Sequence, residues 1–158
     1  MRPALTIYPG QHKDLPEMQQ LFAETIMYVC RNEYTPRQTE VWASGAEDKS
    51  RWNDIIEKQF VLLARLDSRL VGFASLEHEN HIDLLYIHKD HQRQGLALAL
   101  YSRLESEAIR LGQKMLTADV SITAVPFFKR IGFQILREKT AILQGVELTN
   151  YIMEKNLV

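Results

Sequence analysis

The sequence predicts an α+β domain in which helices flank a central, mostly antiparallel mixed sheet. Three observations carry this. Amphipathic stretches and short strand-like runs alternate in the order β, α, α, α, β, β, β, α, β, α, β, β. Tight polar turns join the strands in the middle of the chain and again at its end, as hairpins require. The 158 residues, 46% of them hydrophobic, suffice for one well-buried core and are too few for two ordinary domains, so residues 1–158 are read as one unit.

Residues 4–8 (ALTIY) read as the first strand. Asp14 is placed to cap the helix that follows, with Pro16 in the first turn, where a missing N–H costs nothing. Leu15, Met18, Phe22, Ile26 and Val29 recur at three- and four-residue spacing and give that helix one apolar face, with an expected end near Glu33. Thr35, Pro36 and Gln38 make a capping-box start for a short second helix through Trp42. After the loop SGAEDK, residues 48–58 bring Trp52, Ile55 and Ile56 together on a third helix. Strands follow at 61–65, 70–77 and 82–87, turning at Asp67–Ser68 and at HENH. Leu96, Leu100, Leu104, Ala108 and Leu111 form a core-facing stripe on the longest helix, closed by Gly112. KMLTADV (strand), ITAVPFFKRI (short helix), FQILREKTAIL (strand), a turn at Gln144–Gly145 and VELTNYIMEK (strand) complete the order.

Composition narrows the function. With 19 basic and 20 acidic residues the net charge is −1, and no long-range field draws in nucleic acid or an anionic membrane. A single cysteine, Cys30, cannot form an internal disulfide, and no Cys/His cluster has zinc-ligand spacing, so a reducing cytoplasmic setting without a metal is expected. Neither a signal-peptide core nor a run of 18 apolar residues occurs. Exposed pairing edges of the sheet are where a homodimer would form.

The informative stretch is IDLLYIHKDHQRQGLALALYSRLESEA, where a strand ends near Ile87 and QRQGLA opens the long helix. A helix start leaves about four N–H groups without intrahelical partners and carries partial positive charge, which suits a phosphate. Gly95 lacks a Cβ and admits a close approach, Ala97 keeps the next turn open, and Arg93 adds charge at the mouth. The competing reading is plain loop-to-helix packing.

This segment resembles the Q/R-x-x-G-x-G/A signature of the GNAT superfamily, matched by Gln92, Gly95 and Ala97. SITAVPFFKRIGF is similar to the superfamily's second segment, aligning Ala124, Gly132 and Phe133, and the closing TN-containing strand resembles the YafP-like branch. The resemblance implies acetyl-CoA as cosubstrate. The amides of Gln92, Arg93, Gln94, Gly95, Leu96 and Ala97 would hold its pyrophosphate, and Leu85, Tyr86 and Ile87 would pair with the pantetheine arm. Departures accompany the match: Phe128 stands where many members carry a proton-donating tyrosine, Ser121 stands in place of an asparagine, and Gln94 stands where many carry a basic residue. Phe128 would then touch the coenzyme without donating a proton. Ser121 or a water would protonate the thiolate, or the thiolate would leave as such, because a thiol is already a fair acid.

The implied chemistry is direct attack of a neutral amine on the acetyl thioester, with the Ile87 N–H polarising the carbonyl. Cys30, without a base beside it, reads as a buried structural thiol. Strand alternation puts His81, Asp83, Leu85 and Ile87 on one face and Ile82, Leu84 and Tyr86 on the other. His81 falls where the histone-acetyltransferase branch carries its catalytic glutamate. Asp83 lies two residues nearer the thioester and Glu77 lies across the hairpin, so any of the three could serve as base. The first two helices would supply the acceptor wall, drawing attention to Tyr28, Tyr34 and Trp42 together with Glu33 and Arg37. Aromatic and charged groups in that mixture suit a small-molecule or peptide amine. Two other readings compete: an acyl-CoA-binding regulatory domain that is catalytically silent, and an interaction module that binds no coenzyme.

Overall fold

The computed structural model describes residues 4–158. Its seven strands are β1 (Leu5–Pro9), β2 (Phe60–Leu66), β3 (Arg69–Glu77), β4 (His81–Ile87), β5 (Met115–Ser121), β6 (Gln134–Leu143) and β7 (Val146–Asn156). They form one sheet in the order β1-β2-β3-β4-β5-β7-β6. Every neighbouring pair is antiparallel except β4 and β5, which run parallel. The helices are α1 (Leu15–Val29), α2 (Pro36–Ala43), α3 (Lys49–Lys58), α4 (Leu96–Arg110) and α5 (Val125–Arg130).

Two cores lie on opposite faces of the sheet. Met18, Phe22 and Ile26 of α1 and Trp52 and Ile55 of α3 pack on Leu63, Phe73 and Leu84. On the other face Leu96, Leu100, Leu104 and Ala108 of α4 cover Ala74, Ile82 and Leu116, as their spacing predicts. Leu111 does not share that burial: it follows the last turn of α4 and is 36% exposed. Trp52 can be buried without penalty because its indole N–H donates to Gly45 O at 3.0 Å.

The capping box at Thr35 forms as expected, with Gln38 N–H donating to Thr35 Oγ1 and Thr35 N–H donating to Gln38 Oε1. Asp14 does not cap α1. Its carboxylate turns back to accept from Gln11 N–H at 2.9 Å and faces Arg65, which also pairs with Glu17 and ties β2 to α1. Helix α1 ends at Val29, four residues short of the expected Glu33, and turns carry the chain to α2.

One irregularity matters for the site. Ser75 pairs with Leu84 and Leu76 with Ile82, so Asp83 has no partner on β3 and stands as a β-bulge. Strict alternation along β4 therefore fails. Ile82, Leu85 and Ile87 lie on the α4 side, whereas Leu84 and Tyr86 lie under α1 and α3. The expectation that His81, Asp83, Leu85 and Ile87 share a face is corrected by this extra residue.

Candidate active site

Strands β4 and β5 pair at only two positions, His81 with Thr117 and Ile82 with Ala118, and then diverge. The gap opens along the rest of β4, and the ladder on its other side fixes which backbone groups face it. His88 N–H donates to Val71 O at 2.8 Å, and Tyr86 and Phe73 are paired two residues earlier. Because antiparallel residues alternate between facing the partner and facing away, the N–H and C=O groups of Leu85 and Ile87 point from β3 toward the gap. Part of that polar edge is held internally: Ile87 O accepts from Thr25 Oγ1 of α1 at 3.0 Å and from Gln92 Nε2 at 2.7 Å.

The connection from β4 to α4 is similarly braced. His88, 8% exposed, accepts from Asp90 N–H through Nδ1 at 3.1 Å, and Gln92 Nε2 reaches His88 O as well at 3.3 Å. Burial, seconded by the neighbouring Arg69 guanidinium, holds His88 below the usual histidine range and so favours the neutral ring that this acceptor role needs. Arg93, at φ 58, and Gly95, at φ 80 and ψ 8, both adopt left-handed backbone, and they throw the loop into the start of α4. The first rung of the helix is Ala99 N–H to Gly95 O, so the amides of Gly95, Leu96, Ala97 and Leu98 have no intrahelical acceptor. No side chain among the described residues caps them. A Cβ built on Gly95 would meet none of the described atoms within 4 Å, so the backbone is unobstructed on that side. Exposed Arg93 and Gln94 flank it. Free amides, a helix dipole and an unobstructed approach fit an anionic pyrophosphate.

Three ionisable groups proposed as bases have different surroundings. His81 donates or accepts at both ring nitrogens, with Thr117 Oγ1 2.7 Å from Nδ1 and Asp119 Oδ2 3.0 Å from Nε2. The Asp119 hydrogen bond is the main reason its pKa lies above the ordinary value, and the same bond holds Asp119 below the carboxylate range. Both nitrogens being engaged, His81 is poorly arranged to take a proton directly. Asp83, re-aimed by the bulge, accepts from Gln59 Nε2 at 3.0 Å through Oδ2 only. Glu77 sits at the hairpin end opposite His81 and its carboxylate lies 3.4 Å from exposed His78. Ser121 caps the turn after β5, its Oγ accepting from Ala124 N–H at 3.2 Å.

Phe128 is 3% exposed and packs edge-on against Phe127 and Phe133. Its ring is core, which corrects its assignment as a coenzyme contact: an apolar side chain on the buried face of a one-and-a-half-turn helix has almost no surface left to offer. Of the three acceptor-wall aromatics, Tyr34 and Trp42 meet at 5.3 Å, while Tyr28 lies apart. Tyr28 is exposed on α1, with Arg31 4.1 Å above its ring and Lys89 5.5 Å away. Tyr34 is 6% exposed, and its hydroxyl accepts from Ile122 N–H and donates to Thr149 O at 2.7 Å, so it is a structural tie rather than an open binding surface. Cys30 beside it is pushed up to about 11 by burial, which keeps the thiol protonated and inert.

Sequence reasoning missed Thr25, Gln59, Thr117 and Asp119. Thr25 had a signal, a lone hydroxyl on the apolar face of α1. The other three acquire meaning only from the β4–β5 adjacency and the α3–β2 corner.

A family model described as "Acetyltransferase (GNAT) domain" matches residues 30–155. The chain belongs to the GNAT acetyltransferase family. It is 34% identical over 146 residues to the uncharacterized N-acetyltransferase YafP of Escherichia coli K12, covering 90% of each chain. A GCN5-related N-acetyltransferase from Rhodopseudomonas palustris shares 33% identity and superimposes with a TM-score of 0.92 over 99% of this chain and 97% of that one. PaiA N-acetyltransferase of Thermoplasma acidophilum, whose crystal structure holds coenzyme A, shares the fold at 19% identity and TM-score 0.79, covering 97% of this chain and 99% of that one. This GNAT protein is thus an N-acetyltransferase with acetyl-CoA as its cosubstrate, and the open helix terminus at Gly95 fits the coenzyme's pyrophosphate chemically. Among its described residues no helix is long and apolar enough to cross a membrane.

Proposed function

We propose that this N-acetyltransferase moves acetyl from acetyl-CoA to a primary amine of a small molecule or peptide by direct attack, with Asp83 as the base. The observation that carries the reading is the parting of β4 from β5 after two paired residues, with the bulged Asp83 at the point where the strands separate. Acetyl-CoA supplies an activated thioester. The amides of Gly95 through Leu98 hold its pyrophosphate, with Gln92, Arg93 and Gln94 forming the approach. The gap-facing N–H and C=O groups of Leu85 align the pantetheine arm, and the Ile87 N–H polarises the thioester carbonyl. Gln92 and Thr25 fix that amide's position by holding the carbonyl of the same residue.

Asp83 removes the amine proton directly or through one water, since it retains an oxygen with no donor among the described residues while its other oxygen is oriented by Gln59. His81 acts one step back: it neutralises Asp119 beside the site. Phe128 in the core donates nothing, and the thiolate leaves as such, accepting a hydrogen bond from water or from the Ser121 hydroxyl, which keeps its own O–H while accepting from Ala124 N–H, and takes its proton from solvent.

The test is calorimetric titration with acetyl-CoA, coenzyme A and ATP, followed by thiol release against a panel of amines for wild type and Asp83→Asn. Selective binding of both coenzyme species is expected. Asp83→Asn should leave that affinity unchanged and lower kcat/KM by about 10²–10⁴-fold. Unchanged turnover in Asp83→Asn removes the base role. Binding without turnover on any amine favours a catalytically silent acyl-CoA-binding domain, the reading to which the loss of tyrosine at Phe128 lends support.

A further inference from the structure

We propose that His88 is an acid-sensitive latch on the loop between β4 and α4: its neutral ring closes the turn that leads to the start of α4, and a protonated ring opens that turn and weakens coenzyme binding. This rests on the α4 amides holding the pyrophosphate. His88 is where β4 ends and the loop begins. Its N–H still belongs to the sheet, donating to Val71 O at 2.8 Å, while its carbonyl already belongs to the loop, accepting from His91 N–H at 2.9 Å and from Gln92 Nε2 at 3.3 Å. The ring adds a further tie, Asp90 N–H to Nδ1 at 3.1 Å. Arg93 and Gly95, both in left-handed backbone, come next in the chain, so the position of the free amides depends on how this turn is closed.

The buried ring is asked to accept twice. Asp90 N–H points at Nδ1, and Arg69 Nη2 lies 3.2 Å from Nε2. A backbone amide and a guanidinium only donate, and a neutral imidazole has one acceptor nitrogen. Arg69 is the partner that can yield: its side chain is 59% exposed and has the Asp90 carboxylate at 3.7 Å as an alternative. Nδ1 therefore accepts, and the proton sits on Nε2, which faces the Glu24 carboxylate at 4.0 Å. A second proton has only Nδ1 to go to, where it meets the Asp90 N–H donor against donor. The nearest acceptor for it is the Asp90 carboxylate, 3.9 Å away, and reaching that carboxylate requires the turn to move. Charges around the ring oppose one another. Glu24 of α1 and Asp90 favour protonation, Arg69 of β3 and neighbouring His91 resist it, and burial sides with the latter, so the ring charges only below the ordinary histidine range. Glu17 of α1 and Lys89 of the loop line the same cleft of about 380 Å³, which is open to solvent. The imidazolium would by itself attract a pyrophosphate, but the carboxylates of Glu24 and Asp90 beside it offset that charge, and the lost turn decides the sign.

The test is calorimetric titration with coenzyme A between pH 8 and pH 5 on wild type and His88→Asn, within the range where circular dichroism shows both folded. Asparagine also accepts from the N–H two residues on, and it does not titrate. The phosphates of coenzyme A titrate alike in both experiments, so the ratio of wild-type to variant Kd isolates His88. That ratio should rise by about threefold to tenfold from pH 8 to pH 5, the worth of one hydrogen bond. Reciprocity requires that saturating coenzyme A lower the His88 pKa read from its ring resonances by NMR. A ratio that is flat or falls toward pH 5, or a His88 pKa that coenzyme A leaves in place or raises, overturns the proposal. Where His88→Asn does not fold, the NMR titration of wild type decides alone. Failure of the underlying site gives a different pattern: Gly95→Ala would bind coenzyme A at pH 8 as wild type does, and the latch would fall with it.

Discussion

Gly95→Ala separates backbone strain from ligand contact, because the structure supplies its own control. Gly95 and Gly112 have nearly the same φ, 80 and 82, and a Cβ on either would meet no atom of the described residues within 4 Å. Neither substitution clashes with the protein, so each costs only the strain of holding alanine in the left-handed region, partly offset by a stiffer unfolded chain. That is about 1 kcal/mol, or about 2–4 °C in Tm for a chain of this size. The two variants should therefore melt alike. They should differ toward coenzyme A, because Gly95 opens the helix whose free amides are proposed to hold the pyrophosphate, whereas Gly112 follows the far end of that helix. Displacing a phosphate enough to lose one charge-assisted hydrogen bond costs about 1.5–3 kcal/mol, roughly a tenfold to hundredfold weaker Kd. Thermal melts and calorimetric titration with coenzyme A on both variants give the answer. Equal coenzyme affinity in Gly95→Ala and Gly112→Ala would refute the pyrophosphate assignment.

Two further outcomes follow from side chains whose roles the tertiary structure assigned. Tyr34→Phe removes a hydroxyl that serves both Ile122 N–H and Thr149 O, and should cost about 2–3 kcal/mol in chemical denaturation while leaving coenzyme affinity unchanged; a loss of amine turnover without loss of stability would restore Tyr34 to the binding wall. His81→Gln should destabilise by about 1–3 kcal/mol at pH 5 and by less at pH 9. The raised pKa of His81 makes its share fully present below the ordinary value of 6.5 and lost as pH rises through the folded value. The lowered pKa of Asp119 makes its share present above 3.8 and lost as pH falls through the folded value, so the difference between variant and wild type should be largest between those limits. A difference independent of pH in denaturation curves would show that the pair is not ionic.

Much of this protein is local in its sequence. The Leu96, Leu100, Leu104 and Ala108 stripe, the Thr35 capping box and the glycine opening α4 depend on residues within a few positions of one another, so periodicity and cap chemistry suffice to place them, and with them the helix start proposed to hold the cosubstrate's phosphates. The acid–base arrangement is not local. Strand alternation put Asp83 and Ile87 on one face, and a single unpaired residue in the β3–β4 ladder reversed that, since a bulge is a property of two strands in register and not of either alone. Gln59 and Asp119 are separated from Asp83 and His81 by 24 and 38 positions, and only the α3–β2 corner and the brief β4–β5 contact bring them within 3.0 Å. Phe128 and Tyr34 moved from the site to the framework for the same reason: an aromatic ring in a sequence fits a pocket or a core equally well, and the choice is made by which surfaces the packed neighbours leave uncovered.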